Sequence, residues 1–311
     1  MKLFTYKTKD GIIRLGTFWD EKSVIDIIKL DELLLNSKFE HVKNMEDFIA
    51  LNSKGIKRLY QLLAELKILE TKDNDLFNEI KLNTFFLFKN IKLLPPISNP
   101  QKIICLGCNF SDHAKEAHLV VPKNPMIWGK FNSAIIGHHD SIVLPRISNK
   151  IDVEAELVVI IGKEGKYIPE ENALDFVYGY SIGNDVSARD LQHEDKQFTR
   201  SKTIDTFAPI GPWIVTKDEI PDPQTLNIEL AVNERVWQKG NTKDMIFSVA
   251  YTISYLSNSF TFKSGDLIFM GTPAGVGCYQ NPPAYLKKDD IVQIKIEKIG
   301  ELENKVISES I

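Results

Sequence analysis

Cysteine is scarce in this sequence, and so are long apolar runs. There are three cysteines in 311 residues, an odd and sparse count that argues against a disulfide framework. The longest aliphatic run is Leu157 to Ile161, far shorter than the roughly 20 residues that a membrane span needs. The sequence therefore predicts neither a disulfide-stapled fold nor a membrane partner.

Blocks of one charge sign are also missing. Lys and Arg number 38 and Asp and Glu number 42, which gives a net charge of −4 without any run of five like charges. Nucleic-acid binding usually needs a basic patch or stripe, so we predict no nucleic-acid partner. Residues 1–10 interleave lysines with apolar residues and do not resemble a signal peptide, which makes a cytoplasmic location the expectation.

The cysteines form no recognisable metal or redox motif. Cys105 and Cys108 make a CxxC pair at the end of an apolar run, but Cys278 is far away in sequence. Zinc sites of this kind need a second pair of ligands. We therefore predict that Cys105 and Cys108 are small core side chains.

A proline-rich segment divides the chain. The 311 residues, 43% apolar and 26% charged, suit one large domain or two unequal ones. Residues 94–100 hold three prolines, and proline lacks the backbone donor and the freedom that strands and helices need. We predict a small N-terminal domain over residues 1–95 and a larger second domain over residues 96–311.

Apolar periodicity predicts mostly β-structure after this boundary. The predicted elements are an antiparallel meander at 2–7, 12–18 and 23–28, a helix at 56–70, strands at 103–106, 134–136, 154–161, 179–183, 211–215, 227–232, 267–270 and 291–297, and helices at 111–117 and 248–260. Helices do not alternate regularly with strands. The expected class is therefore α+β, mainly β, and a doubly wound or barrel α/β fold is disfavoured.

Two glutamates stand close together at the start of an apolar segment. If residues 154–161 form a strand, Glu154 and Glu156 project from the same face. Two buried neighbouring carboxylates repel each other unless a cation neutralises them, so the pair is a candidate metal site. The alternative is that both glutamates lie on the water-facing side of an edge strand.

A third candidate carboxylate lies where a later strand meets a polar cluster. Asp185 follows the predicted strand at 179–183, and strand ends commonly deliver functional groups to a cleft. Three carboxylates without an obvious imidazole partner form a hard oxygen ligand set, which favours Mg²⁺, Mn²⁺ or Ca²⁺ over Zn²⁺. The alternative is that Asp185 caps the turn that follows it.

A histidine and a glutamate three residues apart form a candidate catalytic dyad. In a helix at 111–117, His113 and Glu116 are surface neighbours. A carboxylate beside an imidazole can orient the ring and raise its basicity, which suits activation of a water molecule. An ordinary surface pair is the alternative.

Two later segments offer groups that can meet negative charge. Lys202 lies in a stretch of few charges, and an ammonium in a closed pocket offsets charge that develops there; an exposed lysine is the alternative. The segment Gly-Thr-Pro-Ala-Gly-Val-Gly at 271–277 offers the hydroxyl of Thr272 and backbone donors to a carboxylate or oxyanion. It lacks the Gly-Lys-Ser/Thr ending of a P-loop, so nucleotide binding is only weakly supported.

Taken together and in this order, these segments resemble the fumarylacetoacetate hydrolase superfamily over about residues 95–307. The quoted stretches are Asn184-Asp185-Val186-Ser187-Ala188-Arg189-Asp190, Lys202, Asp205-Thr206-Phe207, Gly211-Pro212 and Gly271-Thr272-Pro273. They are most similar to the two-domain members labelled ureidoglycolate lyase-like, 2-hydroxyhepta-2,4-diene-1,7-dioate isomerase-like or fumarylacetoacetate hydrolase domain-containing protein 2-like.

The resemblance implies a mixed β-roll catalytic domain, a smaller N-terminal α/β domain and a homodimer. It also implies a divalent metal ion, generally Mg²⁺, and a small 2-oxo acid or β-diketo acid as substrate. The implied site residues are Glu154, Glu156 and Asp185 for the metal, His113, Glu116 and Lys202 for catalysis, and Arg189, Gln192 and Thr272 for the substrate.

The sequence departs from the common pattern of this family at two positions. Phe110 stands where many members have tyrosine, and Lys130 is followed by Phe131 where proline is frequent. Both departures are expected to border the pocket. They bear on which substrate is accepted, not on metal binding.

The implied activity is hydrolysis of a C–C bond in a small acylpyruvate or β-diketo acid. The substrate would chelate the ion, which acts as a Lewis acid that stabilises an enolate. His113, oriented by Glu116, would activate water while Lys202 offsets charge. Without a positioned water the site would only move protons or release CO₂, so an isomerase, a decarboxylase or a ureidoglycolate lyase-like enzyme is the alternative. A non-catalytic metal-binding scaffold is the remote alternative.

Overall fold

The chain folds into many strands joined by short helices, and a computed structural model describes residues 1–35, 39 and 41–309. The strands are β1 (Lys2–Lys7), β2 (Ile13–Phe18), β3 (Ser23–Asp26), β4 (Phe85–Leu87), β5 (Lys92–Leu93), β6 (Ile103–Gly107), β7 (Met126–Gly129), β8 (Ile135–Ile136), β9 (Ile142–Leu144), β10 (Ile151–Asp152), β11 (Ala155–Ile161), β12 (Val177–Asn184), β13 (Ser187–Ala188), β14 (Ala208–Thr216), β15 (Asn227–Val232), β16 (Arg235–Asn241), β17 (Leu267–Phe269), β18 (Ile291–Ile296) and β19 (Gly300–Ser308). The α-helices are α1 (Ile27–Leu35), α2 (Met45–Ala50), α3 (Asn52–Lys72), α4 (Asn74–Thr84), α5 (Ser111–Glu116), α6 (Arg189–Asp195), α7 (Thr199–Lys202) and α8 (Val249–Ser257).

Twelve of the described strands form one large sheet. Its order is β4-β3-β2-β1-β14-β12-β11-β17-β6-β7, with β5 paired to β1 and β8 paired to β14. Neighbours are antiparallel except at the β14–β8 and β17–β6 pairs, which are parallel. β11 lies between β12 and β17. All of its residues are buried, as expected for an apolar strand covered on both faces.

A five-stranded sheet packs against the large one. Its order is β16-β15-β18-β19-β9, and its strands are antiparallel apart from the β19–β9 pair. Leu157 and Ile182 of the large sheet share one buried core with Ile228, Ile294 and Leu302 of the smaller sheet. Two packed sheets around a common core form the expected β-roll, so the predicted class, α+β and mainly β, is confirmed.

The N-terminal strands form the predicted meander, because β1, β2 and β3 pair antiparallel in order. The third predicted strand, at 23–28, is two residues too long at its end. The carboxylate of Asp26 accepts the backbone N–H groups of Ile28 (3.1 Å) and Lys29 (3.0 Å). This contact satisfies free donors at a helix start, and the chain turns there into α1.

The helices were predicted less completely than the strands. α3 contains the whole predicted helix at 56–70 and buries Leu59, Leu62 and Leu66. α5 and α8 correspond to the two helices predicted in the second domain, whereas α1, α2, α4, α6 and α7 have no predicted counterpart. Among the described residues, no helix combines the length and apolar character that a bilayer crossing requires.

The large sheet crosses the predicted domain boundary at residue 95. β1 pairs antiparallel with β14, and Leu3 lies opposite Ile214. The N-terminal strands therefore extend the sheet that also contains β11 and β12. The division of the chain at 95 and 96 into two domains stays a prediction.

Candidate metal centre and active site

Three buried carboxylates converge where β11 and β12 pair. The register sets Ala155 opposite Asn184, so Glu154 and Glu156, on either side of Ala155, come close to Asp185. One carboxylate oxygen from each of the three lies within 4.8 Å of the others. The residues are 5%, 1% and 0% exposed, respectively. The edge-strand alternative is wrong, because β11 has a neighbour on both sides.

Two buried lysines face this cluster. The Nζ atom of Lys202 lies 2.6 Å from Oε2 of Glu154 and 2.7 Å from Oδ2 of Asp185. The Nζ atom of Lys130 lies 2.7 Å from Oδ1 of Asp185 and donates to the backbone oxygen of Phe207 at 2.8 Å. Lys202 is only 2% exposed, so the exposed-lysine alternative is wrong. The carboxylate of Asp185 is held by these two cations.

Arg189 links Glu154 to the short β10–β13 pair. Its Nε donates to Asp152 at 2.9 Å, and its two terminal nitrogens donate to Glu154 at 2.6 Å and to Gln192 at 2.9 Å. Asp152 also accepts the backbone N–H of Gly277 at 2.8 Å. Each of the three guanidinium nitrogens therefore donates a hydrogen bond within this network, and the role of Arg189 in contacting substrate stays a prediction.

Burial and neighbouring charges shift the pKa values of this cluster. Burial raises the pKa of Glu156 well above its usual value, and the Asp185 and Glu154 carboxylates raise it further. Burial opposes ionisation of Glu154 too, but Lys202 and Arg189 outweigh it and hold the pKa of Glu154 below its usual range. Burial would lower the pKa of Lys202, but Asp185 and Glu154 raise it on balance. The protonated form of Lys202 is therefore favoured, and protonation of Glu156 is favoured when no divalent ion is bound.

The charge of the cluster fits a bound dication. The buried charged side chains that meet here are Asp152, Glu154, Glu156 and Asp185 on one side and Lys130, Arg189 and Lys202 on the other. The negative charges are in excess, and a buried excess charge is costly unless an ion compensates it. Oxygen donors alone suit Mg²⁺, Mn²⁺ or Ca²⁺. Glu154, Glu156 and Asp185 are thus the residues that could hold the expected divalent ion.

The predicted dyad forms on α5. Nδ1 of His113 lies 3.2 Å from Oε2 of Glu116, and the two side chains are 12% and 21% exposed. The other carboxylate oxygen of Glu116 accepts the backbone N–H of Gly275 at 2.9 Å. Glu116 is therefore fixed from two directions, which an ordinary surface pair is not.

The segment after β17 is tied to the carboxylates by hydrogen bonds. The backbone N–H of Gly271 donates to Oε2 of Glu156 at 2.6 Å. Gly271 has a φ of +87°, and a Cβ there would lie 2.7 Å from Cβ of Asn109, so this position needs glycine. Gln238 donates to Oγ1 of Thr272 at 2.7 Å and accepts the N–H of Ala155 at 2.9 Å. Thr272 is thereby held beside the start of β11.

Most of the predicted site residues line one small cavity of about 70 Å³. Those that line it are His113, Glu154, Arg189, Gln192, Lys202 and Thr272. Trp128, Phe198 and Tyr279 add aromatic walls. A larger cavity of about 480 Å³ lies beside β2 and α1, but the buried carboxylate cluster with its lysines and arginine lies at the small one. The individual catalytic and substrate-binding roles stay predictions.

Three residues lie elsewhere than expected. Phe131, expected to border the pocket, is 62% exposed and does not line the small cavity. Cys108, predicted as a core side chain, is half-buried and lines the small cavity, whereas Cys105 is buried in the core as predicted. Phe110 is fully buried and packs in the core of the two sheets, so its ring does not border the cavity as expected. Because the side chain is an apolar ring, the missing hydroxyl leaves no unpaired group there.

Sequence reasoning missed several residues that build the site. Lys130 was noted only for the residue that follows it, and Asp152, Gln238 and Trp128 were given no role. Lysine and glutamine are usually exposed, and no local motif marks them as buried. The apolar and glycine residues around Lys130 were the one available signal that this lysine is enclosed.

Comparison with known proteins places this architecture in a family. The family model described as fumarylacetoacetate (FAA) hydrolase, C-terminal, matches residues 102–307. The fumarylacetoacetate hydrolase domain-containing protein 2 homolog of Dictyostelium discoideum is 40% identical over 319 residues, which cover 98% of this chain and 97% of that protein. The mitochondrial oxaloacetate tautomerase Fahd2a of Rattus norvegicus is 45% identical over 218 residues, which cover 70% of each.

A solved structure agrees with these sequence relatives. The fumarylacetoacetate hydrolase of the psychrophilic Exiguobacterium antarcticum has a TM-score of 0.79 at 33% identity and covers 99% of this chain and 100% of that chain. The likeness includes both the N-terminal strands and the two packed sheets. On the strength of the fold, the carboxylate cluster and these relatives, the chain belongs to the fumarylacetoacetate hydrolase family of enzymes.

Proposed function

We propose that this protein is a divalent-metal-dependent enzyme that interconverts the keto and enol forms of a small 2-oxo acid, with oxaloacetate as the first candidate. The observation that carries the proposal is the buried carboxylate cluster, whose oxygens lie within 4.8 Å of one another, next to a cavity of about 70 Å³. The rat relative named as an oxaloacetate tautomerase supports the choice of reaction.

The charge of the site suits an anionic substrate. The buried side chains at the site carry four carboxylates and three cations. A divalent ion held by Glu154, Glu156 and Asp185, with Mg²⁺ as the first candidate and Mn²⁺ or Ca²⁺ as others, would leave the site net positive and would polarise a nearby keto oxygen. A substrate carboxylate neutralises that charge, which favours 2-oxo acids over neutral ketones.

We assign proton transfer at carbon to His113. Its Nδ1 is engaged by Glu116, which leaves Nε2 to exchange a proton with a group in the cavity. In the step from keto to enol form, Nε2 accepts a proton from the carbon next to the keto group and then gives a proton to the keto oxygen, so that His113 ends the step neutral. The reverse step returns both protons. Protonated Lys202, on the cavity wall, stabilises the negative charge that develops on that oxygen.

A second candidate is hydrolysis of the C–C bond in an acylpyruvate or β-diketo acid. The His113–Glu116 dyad favours it, because an oriented imidazole can take a proton from water as well as from carbon. The likeness to the Exiguobacterium hydrolase also supports it. The decarboxylase, ureidoglycolate lyase-like and scaffold alternatives stay predictions.

The first candidate is tested by measuring the ketonisation of enol-oxaloacetate through the loss of the enol absorbance. Protein with Mg²⁺ should accelerate the reaction above the buffer rate. His113→Asn should lower kcat by about 10²–10⁴-fold. His118→Asn is the matched control, because His118 is exposed and its φ of +53° suits asparagine; kcat should not change.

A parallel assay with acylpyruvates separates the two candidates, because only hydrolysis releases pyruvate and a second acid. Pyruvate release without accelerated ketonisation would replace the first candidate by the second. If protein whose Tm rises with Mg²⁺ catalyses neither reaction, both candidates are refuted.

The expectations about partners and location stay predictions. We expect a homodimer without nucleic-acid or membrane partners, and light scattering on the purified protein should give twice the mass of the chain. The cytoplasmic location is likewise open to test by fractionation, since the rat relative carries a mitochondrial name.

A further inference from the structure

We propose that Trp128 limits the size of the substrate, so that the site accepts 2-oxo acids with a short group beyond the keto carbon and rejects longer ones. This inference rests on the proposed function, since it concerns the same cavity. Trp128 lines that cavity together with Phe198 and Lys202. The aromatic pair would act as a wall at the end of the substrate that varies among 2-oxo acids.

The backbone places the indole of Trp128 on the cavity side of an edge strand. β7 ends the large sheet, and Trp128 lies opposite Cys105 of β6. A Cβ at Gly107, the last residue of β6, would lie only 2.8 Å from Cζ3 of Trp128. The indole therefore lies directly over the bare backbone of Gly107, where any side chain would displace it.

Two more contacts hold the ring. Phe198 packs against it edge to face, with the ring centroids 4.9 Å apart and the planes at 72°. The Nζ atom of Lys202 lies 4.8 Å from the centre of the indole, within the range of a cation–π contact. Because the same Nζ lies 2.6 Å from Glu154, the indole lies close to the ammonium that contacts the carboxylate cluster.

Because the cavity is small, the side chain of Trp128 strongly affects the space available to the substrate. About 70 Å³ is far below the roughly 300–1,000 Å³ of pockets that hold drug-sized ligands, so one large side chain changes the available space substantially. Tryptophan is also suited to replacement. Its Nε1 is buried and has no hydrogen-bond partner among the described residues, so a smaller apolar side chain leaves no partner unpaired.

The test measures binding of linear 2-oxo acids of increasing chain length to the Mg²⁺-loaded protein by calorimetry. Wild type should bind the short acids best. Trp128→Leu should raise the affinity for long acids relative to short ones by at least about tenfold, and Trp128→Phe should raise it less. Phe198→Leu should shift the ratio in the same direction. Ile127→Ala is the matched control, because Ile127 is the neighbouring residue on β7, is 40% exposed and points to the other face.

The outcomes separate this inference from the proposed function. If folded Trp128→Phe, Trp128→Leu and Phe198→Leu proteins keep the length preference of wild type, the inference is overturned. If wild type binds short acids but catalyses neither ketonisation nor pyruvate release, the proposed function fails, and the affinity ratios alone decide the role of Trp128. If wild type binds no 2-oxo acid, both are overturned.

Discussion

Two buried carboxylates at the site should respond differently when they are neutralised in the ion-free protein. Neutralising Asp152 should lower the stability, whereas neutralising Glu156 should not. Asp152 and Glu156 are 0% and 1% exposed, yet their surroundings differ. Asp152 pairs with Arg189 at 2.9 Å and accepts three backbone N–H groups, from Val153 at 2.8 Å, Gly277 at 2.8 Å and Cys278 at 3.0 Å. Glu156 lies beside two other carboxylates.

The magnitudes follow from these contacts. At 4.8 Å, the upper limit for the separation of these oxygens, and an effective dielectric constant of about 20, an ionised Glu156 would be repelled by each neighbouring carboxylate by about 3.5 kcal/mol, which favours its protonated form. Glu156→Gln keeps the shape of that neutral side chain and removes the cost of ionising it, so the ion-free variant should be at least as stable as wild type. Asp152→Asn leaves Arg189 without its full partner, and breaking a buried ion pair costs about 3–5 kcal/mol. Its Tm should fall by several degrees.

The pH dependence of the protein's stability gives a second test of the same reasoning. Burial, followed by the Asp185 and Glu154 charges, raises the pKa of Glu156 in the folded state. The contribution of Glu156 to the stability of the ion-free protein is then complete below the unfolded pKa of about 4.5, and it declines as pH rises towards the raised folded pKa, by at most about 1.4 kcal/mol per pH unit. Mg²⁺ should remove this decline, because the ion takes the place of the proton.

Thermal unfolding followed by circular dichroism measures both effects, in chelator and in Mg²⁺, at pH about 6 and about 8. In wild type, Mg²⁺ at about one hundred times its Kd should add about 2.7 kcal/mol to the free energy of unfolding, and Glu156→Gln should lose most of that gain. If Glu156→Gln in chelator is destabilised as much as Asp152→Asn, the reasoning is refuted, because Glu156 would then be held by favourable partners.

Three further results are expected. Chelation should abolish turnover, and Mg²⁺ or Mn²⁺ should restore it; full activity in protein shown by elemental analysis to lack divalent ions would contradict this. Lys202→Met should lower kcat by about 10²–10³-fold while ion binding, measured by calorimetry, persists. Gln238→Ala removes the contacts to Ala155 and Thr272 and should cost about 1–3 kcal/mol of stability by chemical denaturation; an unchanged midpoint would count against this network.

Local sequence patterns predicted the positions of the strands better than they predicted which strands pair. Each predicted strand of the second domain overlaps a strand of the structure, because alternating or continuous apolar residues report burial directly. The parallel pairing of β6 with β17 and of β8 with β14 was not predicted, since partners far apart in sequence leave no local trace. Short strands such as β10 and β13 carry too few residues to show a pattern.

The residues of the site also fall into those that the sequence indicated and those that it did not. Glu154, Glu156 and Asp185 were candidates because neighbouring carboxylates are costly to bury without a cation, and the resemblance to the family implied that they hold an ion. The role of Asp152 was not predicted, because its donors at Gly277 and Cys278 come from a distant loop. Cys108 was expected in the core, since the sequence shows its spacing but not the cavity that opens beside it.

The pairing of β1 with β14 has a consequence for any attempt to study the predicted second domain, residues 96–311, alone. Residues from Ile214 to Thr216 take hydrogen bonds and neighbours from the first three residues. Without them, the outer rim of β14 would present unsatisfied backbone groups, which readily recruit strands from other molecules. A protein that lacks β1 would thus tend to aggregate. β1 covers the edge of β14 and so protects the sheet that carries the carboxylates.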